Sequence, residues 1–370
     1  MTASVATVDL AAIAANVRTL DTLAGDARTC VVVKADGYGH GSVPVASAAL
    51  EAGAPWLAVA NVTEGRVLRA AGIAAPVLVL SEPAPDEIDG AIAAALHLVV
   101  YRQEMIDAVA RRTDALRVPA LPIHLKVDTG MRRVGCEPGD ALDLARAIVD
   151  APGMVLEGTM THLARADEPG DPTTDSQLDV FDDVIAGIRA AGIDPGLRHA
   201  ANSAATIVHP RARLDLVRVG IATYGIPPAP ALAGVADLCP ALRWTAPVRL
   251  VKRVEAGQRV SYGHRHTFPA DTTVATVPAG YADGVRRRLG LVGGAVLIGG
   301  RRCPIVGVVT MDQFMVDCGP DANVAVGDEA VLVGSQGQEE ITADDVAGLL
   351  DTIGYEVVCD ISPRVRRRYV

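Results

Sequence analysis

Val31-Val32-Val33-Lys34-Ala35-Asp36-Gly37-Tyr38-Gly39-His40-Gly41 runs a β-branched stretch straight into a lysine and then into a glycine-rich turn. Three valines before a lysine read as a fully buried strand that ends in an amine. A buried ammonium is costly unless it is paired or deprotonated, and a lysine of lowered pKa is a nucleophile toward aldehydes. The plain alternative is a lysine that snorkels at a barrel rim. The glycines suggest a phosphate-sized nest beside the amine. Their G-x-G-x-G spacing misses the third glycine of a dinucleotide loop by one residue.

Outward from that stretch, between Thr29 and Gly220, short apolar runs alternate with longer amphipathic segments. Eight runs stand out: Cys30 to Val33, Trp56 to Ala60, Val77 to Leu80, Leu96 to Tyr101, Ile123 to Val127, Val155 to Met160, a weak one at Leu197 to Ala200, and Leu214 to Val219. The segments between them, such as Tyr101 to Asp114, Ala141 to Asp150 and Ser176 to Ala191, have helical periodicity and end near Gly or Pro. Strand alternating with helix implies a parallel sheet. Eight units in about 200 residues predict a closed (β/α)8 barrel of the TIM type, with an open doubly wound sheet as the alternative.

From Cys239 the rhythm becomes β-rich, at Val248 to Glu255, Thr272 to Val277, Ala295 to Ile298, Ile305 to Val309 and Ala330 to Val333. This predicts a C-terminal all-β domain. It holds one helix, Thr342 to Ile353, opened by a Thr N-cap and acidic residues. The proline-rich loop Ile226 to Gly234 is the natural hinge, so the expected domains are residues 1–237 and 238–370.

Composition narrows the function. Half of the 370 residues are hydrophobic, yet no uninterrupted apolar run approaches the roughly 20 residues that cross a membrane. Met1 to Leu20 lacks the basic region, long apolar run and cleavage site of a signal peptide, so a cytoplasmic location is expected. The six cysteines are scattered, with no C-x-x-C pair and no histidine at ligand spacing, so neither a metal nor a disulfide framework is expected. A net charge of −10 argues against nucleic acid as a partner. The arginine runs Arg286 to Arg288 and Arg366 to Arg368 read as solvated or interface positions.

In a barrel, active-site groups gather at the C-terminal ends of the strands. Lys34 follows the first run, Lys126 ends the fifth, His162 follows the sixth, Asn202 and Ser203 follow the seventh, and Arg218 with Gly220 ends the eighth. A lone His162 is as well read as a satisfied rim histidine. Five such coincidences on one face point to a site. Loops after the seventh and eighth strands commonly hold phosphate, and Ser203, Gly220 and Ile221 occupy that place.

These residues sit in longer motifs: VVVKADGYGHG around Lys34, KVDTGMRRVG from Lys126, THLARADE around His162, ANSAAT around Ser203 and RVGIATYG from Arg218. Beyond the hinge come VSYGH around Tyr262, PAGYADG around Tyr281, TMDQ at Thr310 to Gln313 and GYEVVC around Tyr355. In this order, over essentially its whole length, the chain resembles the alanine racemases, pyridoxal-phosphate enzymes with a (β/α)8 barrel and a C-terminal β domain. The resemblance implies an isomerase that interconverts L- and D-alanine, supplies D-alanine for peptidoglycan and works as a homodimer. It leaves serine open as a second substrate.

It also implies roles for residues. Lys34 carries pyridoxal 5'-phosphate as a Schiff base and, once freed by substrate, is a general base. Tyr38, Ser203 and Tyr355, with the amides of Gly220 and Ile221, hold the phosphate, and His162 and Asn202 lie on the cofactor side. Arg218 faces the pyridine nitrogen; because arginine keeps its proton, that nitrogen stays unprotonated and the ring is a weaker electron sink. Racemisation removes a proton from one face of Cα and returns one to the other. The implied partner of Lys34 is Tyr262, from the second subunit. Its phenol, ordinarily of pKa about 10, is tuned through His162 and Arg218. Arg133 and the Met311 amide bind the substrate carboxylate, with Asp312 nearby. Lys126, carbamylated in many members, orients Arg133, and Tyr281 with Tyr355 narrows the entrance in favour of a methyl side chain.

Some positions depart from the family pattern. Asp36 and Gly37 stand where Asn and Ala are commoner, Thr310 where a cysteine often precedes Met-Asp-Gln, and Arg132 and Arg366 where glycine and proline are commoner. None removes a catalytic group. A decarboxylase of the same barrel type pairs the ring nitrogen with an acid, which Arg218 opposes. A broad-specificity racemase is typically exported, and a non-catalytic cofactor carrier lacks the β domain that bears Tyr262 and Tyr281.

Overall fold

The computed structural model describes residues 4–117 and 120–370. Two compact units divide the chain. One comprises Ile13–Gly37 and Ser42–Cys239; the other comprises the described chain up to Ala12, Tyr38–Gly41 and Pro240–Val370.

The first strand, β1 (Val5–Val8), lies in the second unit. The first unit holds β2 (Arg28–Val32), β3 (Trp56–Val59), β4 (Val77–Val79), β5 (His97–Val100), β6 (Leu121–Lys126), β7 (Met154–Met160), β8 (Leu197–His199) and β9 (Leu216–Val219). All neighbours pair in parallel, in the order β8-β7-β6-β5-β4-β3-β2-β9. The ends of that row meet: Asp215 N donates to Arg198 O and Arg218 N to Ala201 O, both at 3.0 Å. The sheet therefore closes, and the open alternative is excluded. Every residue of β3, β4 and β9 is buried, which is why β3 and β4 read as continuous apolar runs without alternation, and β9 does so but for Arg218.

One register shift interrupts the barrel, between Ile123 and His124 of β6 where it pairs with β7. Gly158 opposes it. A Cβ there would lie 2.5 Å from His124 Nδ1 and 2.7 Å from Leu197 O. Gly158→Ala is expected to destabilise the protein by about 1–3 kcal/mol through overpacking, read as a lower urea midpoint at unchanged slope.

The second unit contains β10 (Leu242–Pro247), β11 (Leu250–Val254), β12 (Arg259–Val260), β13 (His266–Thr267), β14 (Thr272–Val277) and β15 (Ala295–Ile298). It continues with β16 (Arg301–Val306), β17 (Phe314–Gly319), β18 (Glu329–Gln336), β19 (Glu339–Ile341) and β20 (Arg366–Tyr369). Its main sheet runs β11-β14-β17-β16-β15-β18-β10-β1-β20, with β19 added to β18. Trp244, Val296, Ile298, Phe314 and Leu332 are among its core residues. β1 pairs antiparallel with β10 and parallel with β20. Its four residues precede a helix, Leu10–Ala24, and the alanine-rich periodicity of that helix hides the strand in the sequence.

The expected helix begins where anticipated, at Thr342, whose hydroxyl accepts from Asp345 N at 3.0 Å while Asp345 accepts from Thr342 N at 2.8 Å. It stops at Leu350, because Asp351 turns left-handed at φ 59°, and a second helix occupies Gly354–Cys359. Gly39 and Gly41 are not an anion nest. A Cβ on Gly39 would meet Val358 O at 2.3 Å, and one on Gly41 the Tyr369 hydroxyl at 2.0 Å, so these glycines permit close packing in the β unit.

Candidate active site

Arg218 of β9 points into the barrel and is 4% exposed. Its Nη2 donates to Thr161 O at 2.8 Å and Ala200 O at 3.0 Å and lies 3.4 Å from His162 Nδ1; its Nη1 is 3.0 Å from His199 Nδ1. Burial lowers its pKa only to about 10, so it remains a cation at neutral pH. A guanidinium only donates, which fixes its neighbours' protons. His199 must accept at Nδ1 and so carries its proton on Nε2, which lies 3.0 Å from His124 Nδ1. His124 then accepts there and holds its own proton on Nε2, beside the rings of Trp56 and His97. Burial pushes both histidines well down, helped by His97 and Arg218 at His124, which falls to about 3, and by Arg218, His124 and Lys126 at His199.

The cations at this end of the barrel bear on one another. Lys126, at the end of β6 and 6% exposed, is pushed down to about 8 by burial and then by Arg218, Arg133 and Lys34. His162 is pushed down to about 3 by burial and by Arg218, Arg133, Lys126 and Lys34, so its imidazole is neutral. Four positive groups with the carboxylate of Asp128 among them form a site suited to anions.

The lowered Lys126 pKa makes stability depend on pH. The unfolded lysine holds its proton up to about 10.5, the folded one only to about 8, so stability rises with pH between those values and the burial penalty is complete below about 8. In buffer free of carbon dioxide, Lys126→Met is expected to gain up to roughly 3 kcal/mol near neutral pH and to lose this pH dependence. Urea unfolding at about pH 7 and about pH 9.5 checks both.

The loop from Lys126 is folded tightly. Cys136 N donates to Lys126 O and Asp128 N to Cys136 O, both at 2.9 Å, and Asp128 Oδ1 accepts from Gly130 N and Arg132 N. Gly135, at φ 130°, lies so close to Asp128 N that a Cβ would sit at 2.6 Å. Arg132 is left-handed at φ 57°, a region that favours glycine; its side chain lies out in solvent with Glu137. Gln177, not anticipated, is 2% exposed and joins this loop to the His162 loop: Nε2 reaches Thr129 Oγ1 and His162 O, and Oε1 accepts from Ala164 N.

Lys34 directly follows the β2 strand and Val33 and is half-buried. Behind it Ala35, Asp36, Gly37 and Tyr38 all have positive φ, between 51° and 62°, a short left-handed turn. Each non-glycine residue there costs about 1–2 kcal/mol. Gly37 N donates to Val33 O, Ser42 N to Asp36 Oδ1, and Ala35 N to Glu64 Oε1.

At the ends of β8 and β9 two short helical turns begin side by side, Ser203–Val208 and Ile221–Tyr224. Ser203 Oγ accepts from Gly220 N at 2.8 Å and Ala222 N at 3.5 Å, which leaves its own proton to donate. Asn202 caps the first turn by accepting from Ala205 N, so its side chain serves the backbone. First-turn N–H groups without helical acceptors and a free hydroxyl proton suit a phosphate.

In the β unit, the Tyr38 and Tyr355 rings lie 6.2 Å apart at 54°. Tyr262 is 71% exposed on a turn between β12 and β13 that Ser261 ties down by donating to Val308 O. Tyr281 N donates to Thr310 O and Ala282 N to Met311 O. A Cβ on Gly280 would meet Met311 O at 2.2 Å, so the PAGYADG and TMDQ segments lie backbone to backbone. The Thr310 hydroxyl closes its own loop by donating to Gln313 O, and Asp312 accepts from Arg364 at 2.8 Å.

The family model of the alanine racemase N-terminal domain matches residues 8–228, and that of the alanine racemase C-terminal domain matches residues 241–369. The chain belongs to the alanine racemase family. The alanine racemase of Symbiobacterium thermophilum is 50% identical over 98% of this chain and 96% of its own. That of Mycobacterium tuberculosis is 45% identical over 98% of this chain and 95% of its own. Among solved structures, the Streptomyces coelicolor alanine racemase superposes with a TM-score of 0.94 at 41% identity, covering 100% of this chain and 98% of that one. The Bacillus anthracis alanine racemase with bound L-Ala-P gives 0.93 at 38% identity, covering 100% and 95%. Family members are isomerases, and the closed parallel barrel with a separate β-rich unit is their fold.

Proposed function

We propose that this chain racemises alanine with pyridoxal 5'-phosphate bound to Lys34, in the cytoplasm, and so supplies D-alanine for peptidoglycan, with serine as a slower substrate. The observation that carries this reading is the convergence of Lys34, Lys126, Arg133 and Arg218 beside the Ser203 and Gly220 cradle. Such a site matches a phosphate at one end and a substrate carboxylate at the other. No described helix is long and apolar enough to cross a membrane, and the described residues hold no cluster of groups suited to a metal ion.

When bound, the cofactor supplies the electron sink that acidifies the Cα–H of the amino acid. The chain's own residues do the rest. Ser203 would donate its hydroxyl hydrogen to the phosphate, with Gly220 N holding Ser203 Oγ in place at 2.8 Å, and the Ile221 amide with the Tyr38 and Tyr355 hydroxyls would complete the cradle. Arg218, held by two carbonyls and His199, keeps its proton and would offer a donor to the ring nitrogen rather than a proton acceptor. Arg133 grips the substrate carboxylate together with the Met311 amide. The Lys34 amine takes or returns the Cα proton on one face and the Tyr262 phenol of the partner subunit does so on the other. Neutral His162, accepting from Arg218 at Nδ1, offers Nε2–H to the phenolate. Two domains, 1–237 and 238–370, from two copies of the chain then make one site, with Tyr281 and Tyr355 at its mouth, Asp312 beside the carboxylate and Asn202 behind the phosphate.

An absorbance spectrum followed by assays with L-alanine and L-serine tests the reading. A yellow protein that racemises alanine faster than serine supports it; a colourless protein inert toward both overturns it.

A further inference from the structure

We infer that Glu64 is a positioning residue for Lys34: its carboxylate fastens the left-handed turn behind Lys34 to the end of the neighbouring barrel strand. Oε1 accepts from Ala35 N at 2.8 Å and Oε2 from Ala60 N at 2.7 Å. Ala35 is the residue immediately after Lys34, and Ala60 immediately follows β3. Glu64 stands in the first turn of the helix Val62–Ala70, where the two amides themselves fix its carboxylate; Asn61 caps that helix by accepting from the Glu64 backbone N at 2.9 Å. The inference rests on the reading of Lys34 as cofactor anchor and base.

The chemistry requires a carboxylate. An ionised Glu is acceptor-only at both oxygens, so it receives two amides at once. Glutamine has one oxygen, and its NH2 would face the other amide, so one N–H must lose its partner. The turn behind Lys34 needs such external bonds, because left-handed backbone at Ala35 and Asp36 is strained for residues with a Cβ. Gly37 and Asp36 hold its far end through Val33 and Ser42, and Glu64 holds the end next to Lys34. A base displaced by a fraction of an ångström loses rate without losing substrate affinity.

The test compares Glu64→Gln with Asn61→Ala in the cofactor-loaded enzyme. Asn61→Ala removes the helix cap but leaves the carboxylate, and controls for general destabilisation. Glu64→Gln is expected to lower kcat about tenfold at an unchanged KM for alanine. It should speed hydrogen exchange of the Ala35 amide about tenfold while borohydride still labels Lys34. Asn61→Ala is expected to lower the melting temperature with kcat and Ala35 exchange unchanged. Should Glu64→Gln fail to fold, Glu64→Asp, too short to reach both amides, gives the same contrast. The inference is overturned if Ala35 exchange or kcat stays at the wild-type value, or if Asn61→Ala reproduces both changes. If the wild type itself takes no borohydride label at Lys34, the cofactor reading falls instead, and amide exchange still decides whether Glu64 holds the turn.

Discussion

Lys34→Ala is expected to fold, to lack colour and to racemise alanine at least about a thousandfold more slowly than the wild type, since on the proposed reading both the cofactor's anchor and one of two bases are gone. Its stability should not suffer. Lys34, itself half-buried, is one of the charges that push Lys126 down, so removing it relieves repulsion between the two amines. The melting temperature of the apo protein is therefore expected to equal or exceed that of wild-type apo protein. Borohydride reduction and peptide mapping of the wild type should place the label on Lys34. A label elsewhere, or a yellow and active Lys34→Ala protein, removes the anchor assignment.

Tyr262→Phe is expected to cut exchange of the Cα hydrogen with solvent deuterium about a thousandfold for L-alanine and much less for D-alanine. The hydroxyl is on a side chain that is 71% exposed, so the fold should not register its loss. Equal loss for both enantiomers argues for one mobile base. If the phenol serves the partner's site, a mixed dimer of Lys34→Ala and Tyr262→Phe chains gathers both defects in one site and leaves the other whole. Equal amounts make about half the dimers mixed, each with one good site of two, so activity should return to roughly a quarter of wild type. Proven mixed dimers without activity would falsify the shared site.

The site was unevenly legible. Lys34, Lys126, His162 and Arg218 announce themselves as polar residues that end buried strands, an anomaly visible in any single strand. Glu64 and Gln177 do not, because each lies in an amphipathic helix where a polar residue is ordinary, and their value comes from partners elsewhere in the chain, the Ala35 amide for Glu64 and the Thr129 hydroxyl and His162 carbonyl for Gln177. His199 and His124 were hidden for the opposite reason. They sit inside apolar strands, His199 in the weakest of the eight, and only the closed barrel brings them into line with Arg218. Asn202 was placed by proximity to Ser203, and its side chain proves to be a helix cap.

What the amino-acid sequence alone determined is the succession of strands and helices and the residue types at the strand ends, because burial on both faces writes itself as continuous apolar runs. The tertiary structure decided what depends on closure and register: the union of β8 and β9, the glycine at 158 that makes room for His124, the left-handed turn behind Lys34, and the seat of Val5–Val8 between strands more than two hundred residues away. These follow from contacts between distant residues, and no local pattern records such contacts.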